Sequence, residues 1–346
     1  MKFFTSSGKD NKANQLKFDL LGPNSPILRL DGVPTRFSEG LAGEGFLLDP
    51  MGSWRPITDD GLDAIEAECV QLHNDLAARI FGDIKAYYEL LPLAPTFLAE
   101  AGLNSESPIG RDDFEKLLAK FANFPELNRF LYLYDVRALV SAVQECTKEV
   151  CQLTGEFYRI LNLEPFFTPS IAQEDGTRWS TSPVVTTLTS TLGFLFIRLH
   201  SLLDYLAKLA REVEQLRTTF STYPRLACAN FLFGDRKKLK IGALPGSLFE
   251  PCEEVREVEL LRNLLIHDGL LDDMPKAYEV IKGGVAIERF VLMPDCRDGR
   301  FERYKNRHRF YGGEDKINLR LFALVKRFQQ RQVATVSGIR AQLWHS

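Results

Sequence analysis

Apolar residues recur every three to four positions over most of the chain, the period of one helical face. From Gly61, "GLDAIEAECVQLHNDLAARIFGDIKAYYELL" has few breakers, and the pattern predicts a helix there with Asp59 or Asp60 as its N-cap. "RDDFEKLLAKFANF" predicts a shorter helix, and "LNRFLYLYDVRALVSAVQECTKEVCQLTGEFYRILN" a long one. "EPFFTPSIAQEDGTRWSTSP" interrupts the period with three prolines and many polar residues, which places a boundary near residues 165–183.

Helical spacing then resumes. "TLGFLFIRLHSLLDYLAKLAREVEQLRTTF" carries a broad stripe that includes Leu199, Leu202, Leu203, Leu206, Leu209 and Val213. "GDRKKLKIGALPGS" reads as a basic loop. A helix follows from near Pro251, with Glu253, Glu254 and Glu257 at its positive end and Gly269 just past its C-terminus. "KINLRLFALVKRFQQRQ" predicts a last helix. Alternating or apolar pieces, "SPILRL", "EGFLLD" and "VAIERFVLMPD", read as strands. The expected fold class is mainly α with a few short strands. The expected division is a mostly helical region over residues 1–180, with a strand- and loop-rich start, and a helical bundle over residues 181–346.

Composition narrows the function classes. A length of 346 residues suits about two domains. The net charge of −3 means that any attraction for nucleic acid must come from a local patch. No apolar run reaches the length of a membrane span, and the start "MKFFTSSGKDNKANQ" is too weakly apolar for a signal peptide, so a cytoplasmic location without membrane contact is expected. The six cysteines form no C-x-x-C pair, which argues for reduced, buried thiols rather than a zinc site or a disulfide framework. No metal or cofactor is expected. The phosphate-loop, serine-elbow and H-E-x-x-H signatures are absent from the sequence.

The candidate chemistry lies in "LLRNLLIHDG", residues 260–269. On a wheel of about 100° per residue, Val255, Val258, Leu265 and Ile266 flank Arg262 within about 60° on either side. A guanidinium among leucines needs a carboxylate, a phosphate or a water-filled cleft. Glu259, Asn263 and His267 succeed one another at one-turn intervals and form a polar row beside it. Asn263 has the reach to orient the imidazole. A plainer role is also open: arginine and histidine offset the negative end of a helix, and Glu259 can pair with Arg262.

The motif "RNLLIH" resembles the R-x4-6-H motif of the HEPN superfamily, in which a polar residue typically follows the arginine. Arg262, Asn263 and His267 match its three positions, and "RLHSLLDYLAKLAREVEQL" is similar to HEPN helices that pack beside the motif helix. The resemblance covers about residues 185–330. It implies a metal-independent endoribonuclease, acting as a homodimer with a composite site, in a setting of toxin–antitoxin systems or phage defence. An antitoxin or regulatory protein is then an expected partner. His267 would move protons as a 2′-hydroxyl attacks the adjacent phosphate, Arg262 would hold the phosphate, and Asn263, Glu259 and Asp204 would support them. The products would be a 2′,3′-cyclic phosphate and a 5′-hydroxyl. The alternative is a non-catalytic HEPN-like scaffold that binds a nucleotide or a protein partner.

An RNA substrate needs a landing surface. "CRDGRFERYKNRHRFY" interleaves Arg300, Arg303, Lys305, Arg307 and Arg309 with aromatic residues, and Lys237 and Lys238 belong to a second basic cluster. Cations can grip phosphates while rings stack on unpaired bases. A solvated hairpin with its aromatics in the core is the equal alternative. His200 and Asp204, one turn apart, form a further base-and-orienter candidate, with an ordinary surface pair as the plainer reading.

Overall fold

The computed structural model describes residues 25–37, 43–58, 61–167, 174–269 and 271–344. The fold is mainly α with a few short strands. Among the described residues, no helix is long and apolar enough to cross a membrane. Two compact units make up the chain. The first comprises residues 1–60, 149–197 and 256–326, and the second residues 61–148, 198–255 and 327–346. Each unit therefore draws on both sides of the division near residue 180. The reason is covalent: four of the five unit boundaries fall inside helices, and only the one at 60/61 lies in a loop.

In the first unit, strands β1 (Pro26–Arg29), β2 (Thr35–Arg36), β3 (Gly45–Leu48) and β4 (Trp54–Pro56) form an antiparallel sheet in the order β2-β1-β3-β4. Of these, β1 and β3 are the strands that "SPILRL" and "EGFLLD" predicted, whereas β2 and β4 were not expected. Ile27, Leu28 and Phe46 are buried. Phe46 stacks on Tyr158 with centroids 4.6 Å apart and meets Phe322 edge-on at 5.7 Å. Tyr158 belongs to the long helix Leu127–Leu163, whose Asn162 donates to the Arg29 carbonyl and accepts from its amide, each at 2.9 Å. That side chain completes hydrogen bonds at the sheet edge. Gly155 permits the close approach: a Cβ there would lie 2.2 Å from the Trp54 carbonyl oxygen.

A second antiparallel sheet has the order β5 (Gly176–Ser180), β6 (Ala277–Lys282), β7 (Val285–Phe290). The breaker-rich stretch thus contains a strand, because its partner lies a hundred residues away. At its centre, Glu279 is 3% exposed. It accepts from Arg178 and, at 2.7 Å, from Arg289. Arg289 also donates to the carbonyls of Leu161, Asn162 and Glu164, which the end of the long helix leaves open. A small β8–β9 hairpin (Cys296–Arg297, Arg300–Phe301) precedes the final helix.

The second unit is helical. With the helices numbered in chain order, α1 is Leu62–Phe81, α2 Ile84–Leu90, α3 Phe97–Glu100, α4 Arg111–Lys120 and α5 the long Leu127–Leu163. Helix α6 is Pro183–Glu214, α7 Glu253–His267 and α8 Ile317–Gln342. The expected N-caps Asp59 and Asp60 lie outside the described residues. The single helix expected from Gly61 is two, because Gly82 adopts φ 86° and closes α1 in the left-handed conformation. Helix α6 starts earlier than its pattern suggests, with Pro183 at its first position, where a missing N–H costs nothing. Helix α8 runs ten residues past Gln332 through β-branched residues, since Val336 and Ile339 are fully buried and burial outweighs weak propensity.

Leu199, Leu202, Leu203 and Leu206 of the expected stripe are all fully buried. Among them sits Glu212, also fully buried, which accepts from the Tyr132 hydroxyl at 2.5 Å and the Cys228 amide at 3.0 Å. The six cysteines form no disulfide, and five are buried. Burial pushes the Cys69 and Cys228 thiols up to about 12, so both stay protonated and unreactive.

Candidate functional site

Helix α7 forms where the acidic residues Glu253 and Glu254 meet its positive end and a buried row stabilises its length. That row is Val255, Val258, Leu261 and Leu264. Ile266, expected in the same stripe, is 43% exposed. Arg262 therefore lies at the margin of the buried face rather than in its middle, and is half-buried. Glu254 and Glu257, not Ile266, complete the covered side. Asn263 and His267 point to solvent on the opposite side, with half-buried Glu259 one turn earlier.

Arg262 donates from Nη1 to the Asn263 side-chain oxygen at 2.9 Å. Asn263 thus orients the guanidinium, where the sequence had offered it as an orienter of the imidazole. His267 is the last residue of α7, and Gly269, at φ 90°, turns the chain away. Such a turn is open to glycine at little cost.

The basic stretch reaches this same helix end. Arg309 donates from Nη2 to the Asp268 carbonyl at 2.6 Å, and the Tyr311 hydroxyl donates to the Leu271 carbonyl. The turn of the β8–β9 hairpin, with positive φ at Asp298 and Gly299, packs on the aliphatic part of Arg256 from α7. A Cβ on Gly299 would lie 2.8 Å from the Cδ of the exposed Arg256 side chain, which can give way, so it is the φ of 71° that favours glycine there. A second tight turn joins Tyr304 and Arg307 by two backbone hydrogen bonds. Arg300, Arg303, Lys305 and Arg307 are exposed around these turns, and Arg309 is half-buried.

The aromatics divide by role. Phe301 is core and Tyr311 is tied to a carbonyl, while Tyr304 is 63% exposed beside the Lys305 ammonium. One ring of the interleaved set is thus open for stacking, and another is structural.

The remaining candidates belong to the second unit. Asp204 accepts from the Phe233 amide at 2.9 Å and caps a short 3₁₀ helix, Phe233–Lys238. His200 Nδ1 lies 3.9 Å from the Asp204 carboxylate. The stretch expected as a basic loop is this 3₁₀ helix and the next, Lys240–Ala243. Lys237 is exposed on it, and Lys238 pairs with Asp235 at 2.7 Å. Among the described residues, no group of three or more histidines, cysteines or carboxylates is placed to hold a metal ion.

No family model, curated protein or solved structure matches the chain. Sequence reasoning missed the contribution of Arg256 and the double tether at Asp268 and Leu271, because both depend on contacts about forty residues apart.

Proposed function

We propose that the chain is a metal-independent endoribonuclease whose site is the half-buried Arg262 with the exposed Asn263 and His267. One observation carries the reading. The Arg309 hydrogen bond to the Asp268 carbonyl holds the basic segment against the end of the helix that bears the row. Two stretches singled out separately, one for chemistry and one for phosphate binding, are thus neighbours within one unit.

The chemistry follows from the residue types. Arg262, oriented by Asn263, holds the scissile phosphate and offsets charge on its non-bridging oxygens. His267 takes the proton of the attacking 2′-hydroxyl or delivers one to the departing 5′-oxygen. One histidine cannot do both at the same instant. A second copy of the row, across a two-fold axis, supplies the other proton transfer. The exposure of Asn263, Ile266 and His267 leaves this face accessible to such a partner. Arg300, Arg303, Lys305 and Arg307 guide the RNA by its phosphates, and Tyr304 stacks on an unpaired base.

The test is cleavage of labelled RNA by the purified chain in EDTA, beside His267→Ala and Arg262→Ala. Loss of about 2–4 orders of magnitude in rate is expected for His267→Ala, the range of a lost acid–base group. Products should end in a 2′,3′-cyclic phosphate. Full cleavage by His267→Ala, or none by the parent across varied RNAs, would refute the reading. A second reading, a non-catalytic module that binds RNA or a protein through the same row, draws on the Arg262–Asn263 bond, which leaves His267 without its expected orienter. Binding without cleavage in the same experiment would select it.

A further inference from the structure

The second unit contains a cleft of about 470 Å³ that belongs to none of the residues above. Its walls bring together Arg79 from the last turn of α1, Arg129 from the first turn of α5, and Arg217 from just beyond α6. Three arginines face it against one lining carboxylate, Glu214. That carboxylate is engaged elsewhere, accepting from the Ile241 amide at 3.1 Å. Phe81, Leu216 and Phe220 supply an apolar floor.

Two of these walls are tied down before any ligand arrives, Arg129 through its guanidinium and Arg217 through its backbone. The Arg129 guanidinium lies 5.2 Å over the Phe220 ring, and Glu126 is 3.1 Å away on its other side. That ion pair lacks hydrogen-bond geometry at Nε. Asn128 donates to the Phe220 carbonyl at 3.0 Å and fixes the ring-bearing segment. The Arg217 amide donates to the Tyr132 hydroxyl at 3.2 Å, and Tyr132 in turn bonds the buried Glu212. Both charged walls are thus anchored to the core, which reduces the ordering cost of binding.

We propose that this cleft binds a small phosphorylated ligand with an apolar or aromatic body, in the class of nucleoside phosphates. The volume lies in the usual range for small-molecule sites, about 300–1,000 Å³. Guanidinium forks match phosphate oxygens in pairs, and an apolar floor has no use for a bare inorganic anion. The site is separate from the α7 row, so it stands whether or not the chain cleaves RNA.

Titration calorimetry of the full chain with ADP, inorganic pyrophosphate and adenosine tests it. ADP should bind at least about tenfold tighter than either fragment, a difference that needs both the phosphate and the ring. The Arg217→Glu variant alters one exposed side chain, so its melting temperature should stay near that of the parent. Its ADP affinity should fall by about tenfold or more. Arg217→Lys, which keeps the charge but not the fork, should lie between. The proposal is overturned if ADP does not bind at millimolar concentration, or if the charge reversal leaves its affinity within twofold. Adenosine or pyrophosphate binding as tightly as ADP would overturn it equally.

Discussion

The buried carboxylate Glu279 offers the sharpest test of how the first unit is held together. Its side chain is 4% exposed and accepts from Arg289 at 2.7 Å and Arg178 at 3.0 Å. Arg289→Met keeps the aliphatic volume but removes the guanidinium. Glu279 then retains one of its two partners, and three carbonyls at the end of α5 lose a donor at 3.1–3.4 Å. Breaking a buried pair costs about 3–5 kcal/mol, and the remaining Arg178 moves the expectation to the lower end, about 3 kcal/mol. Glu279→Gln removes the charge instead, and the double variant should lose less than the sum of the singles. A coupling of about 1–3 kcal/mol is expected between residues in one network. Urea unfolding followed by intrinsic fluorescence measures all four proteins. A loss below about 1 kcal/mol for Arg289→Met, or strictly additive losses, would show that the pair is not the tie we describe.

Three further outcomes are expected of the fold. Burial, and the Arg137 charge near it, lower the His73 pKa to about 4, against an opposing hydrogen bond with Gln144. The unfolded chain therefore takes up this proton first, so the His73 contribution is complete above about pH 6.5 and is lost as pH falls towards 4. It amounts to at most about 3 kcal/mol, and an unchanged acid slope in His73→Gln would contradict the assignment. Gly155→Ala places a Cβ against the Trp54 carbonyl. Overpacking of about 1–3 kcal/mol should outweigh the roughly 1 kcal/mol gained in helix propensity, and a raised melting temperature would refute the contact. Arg309→Ala removes the hydrogen bond to the Asp268 carbonyl, so exchange of the Asp268 amide, which donates to the Leu264 carbonyl at 3.0 Å, should speed up while the Glu279 network is unaffected; protection equal to the parent's would mean the tether does not order the turn.

The helices were readable because their signal is local. The Leu199–Leu206 stripe has a period of 3.6, and every member named is buried. Strand β5 was not readable, since "GTRWS" has no alternation strong enough to outweigh its polar flanks, and only pairing with β6 makes it a strand. The wheel placed Arg262 among apolar residues, yet the structure leaves Ile266 in solvent and shifts the covered side towards Glu254 and Glu257. A wheel counts apolar residues, whereas burial depends on what lies opposite. Glu254 is covered because Arg327 and Arg331 neutralise it, and neither arginine is near it in sequence.

By itself the sequence determined the mainly helical class, most helix positions and the motif Arg262–Asn263–His267, all of which rest on spacing within a few turns. Tertiary structure decided the rest: that Asn263 serves the guanidinium, that Arg309 ties the basic segment to the end of α7, and that Arg79, Arg129 and Arg217 share one cleft. Those three arginines sit about fifty to ninety residues apart in an otherwise ordinary run of surface charge. Charge acts through space over about a Debye length, so packing rather than sequence separation decides which charges act together.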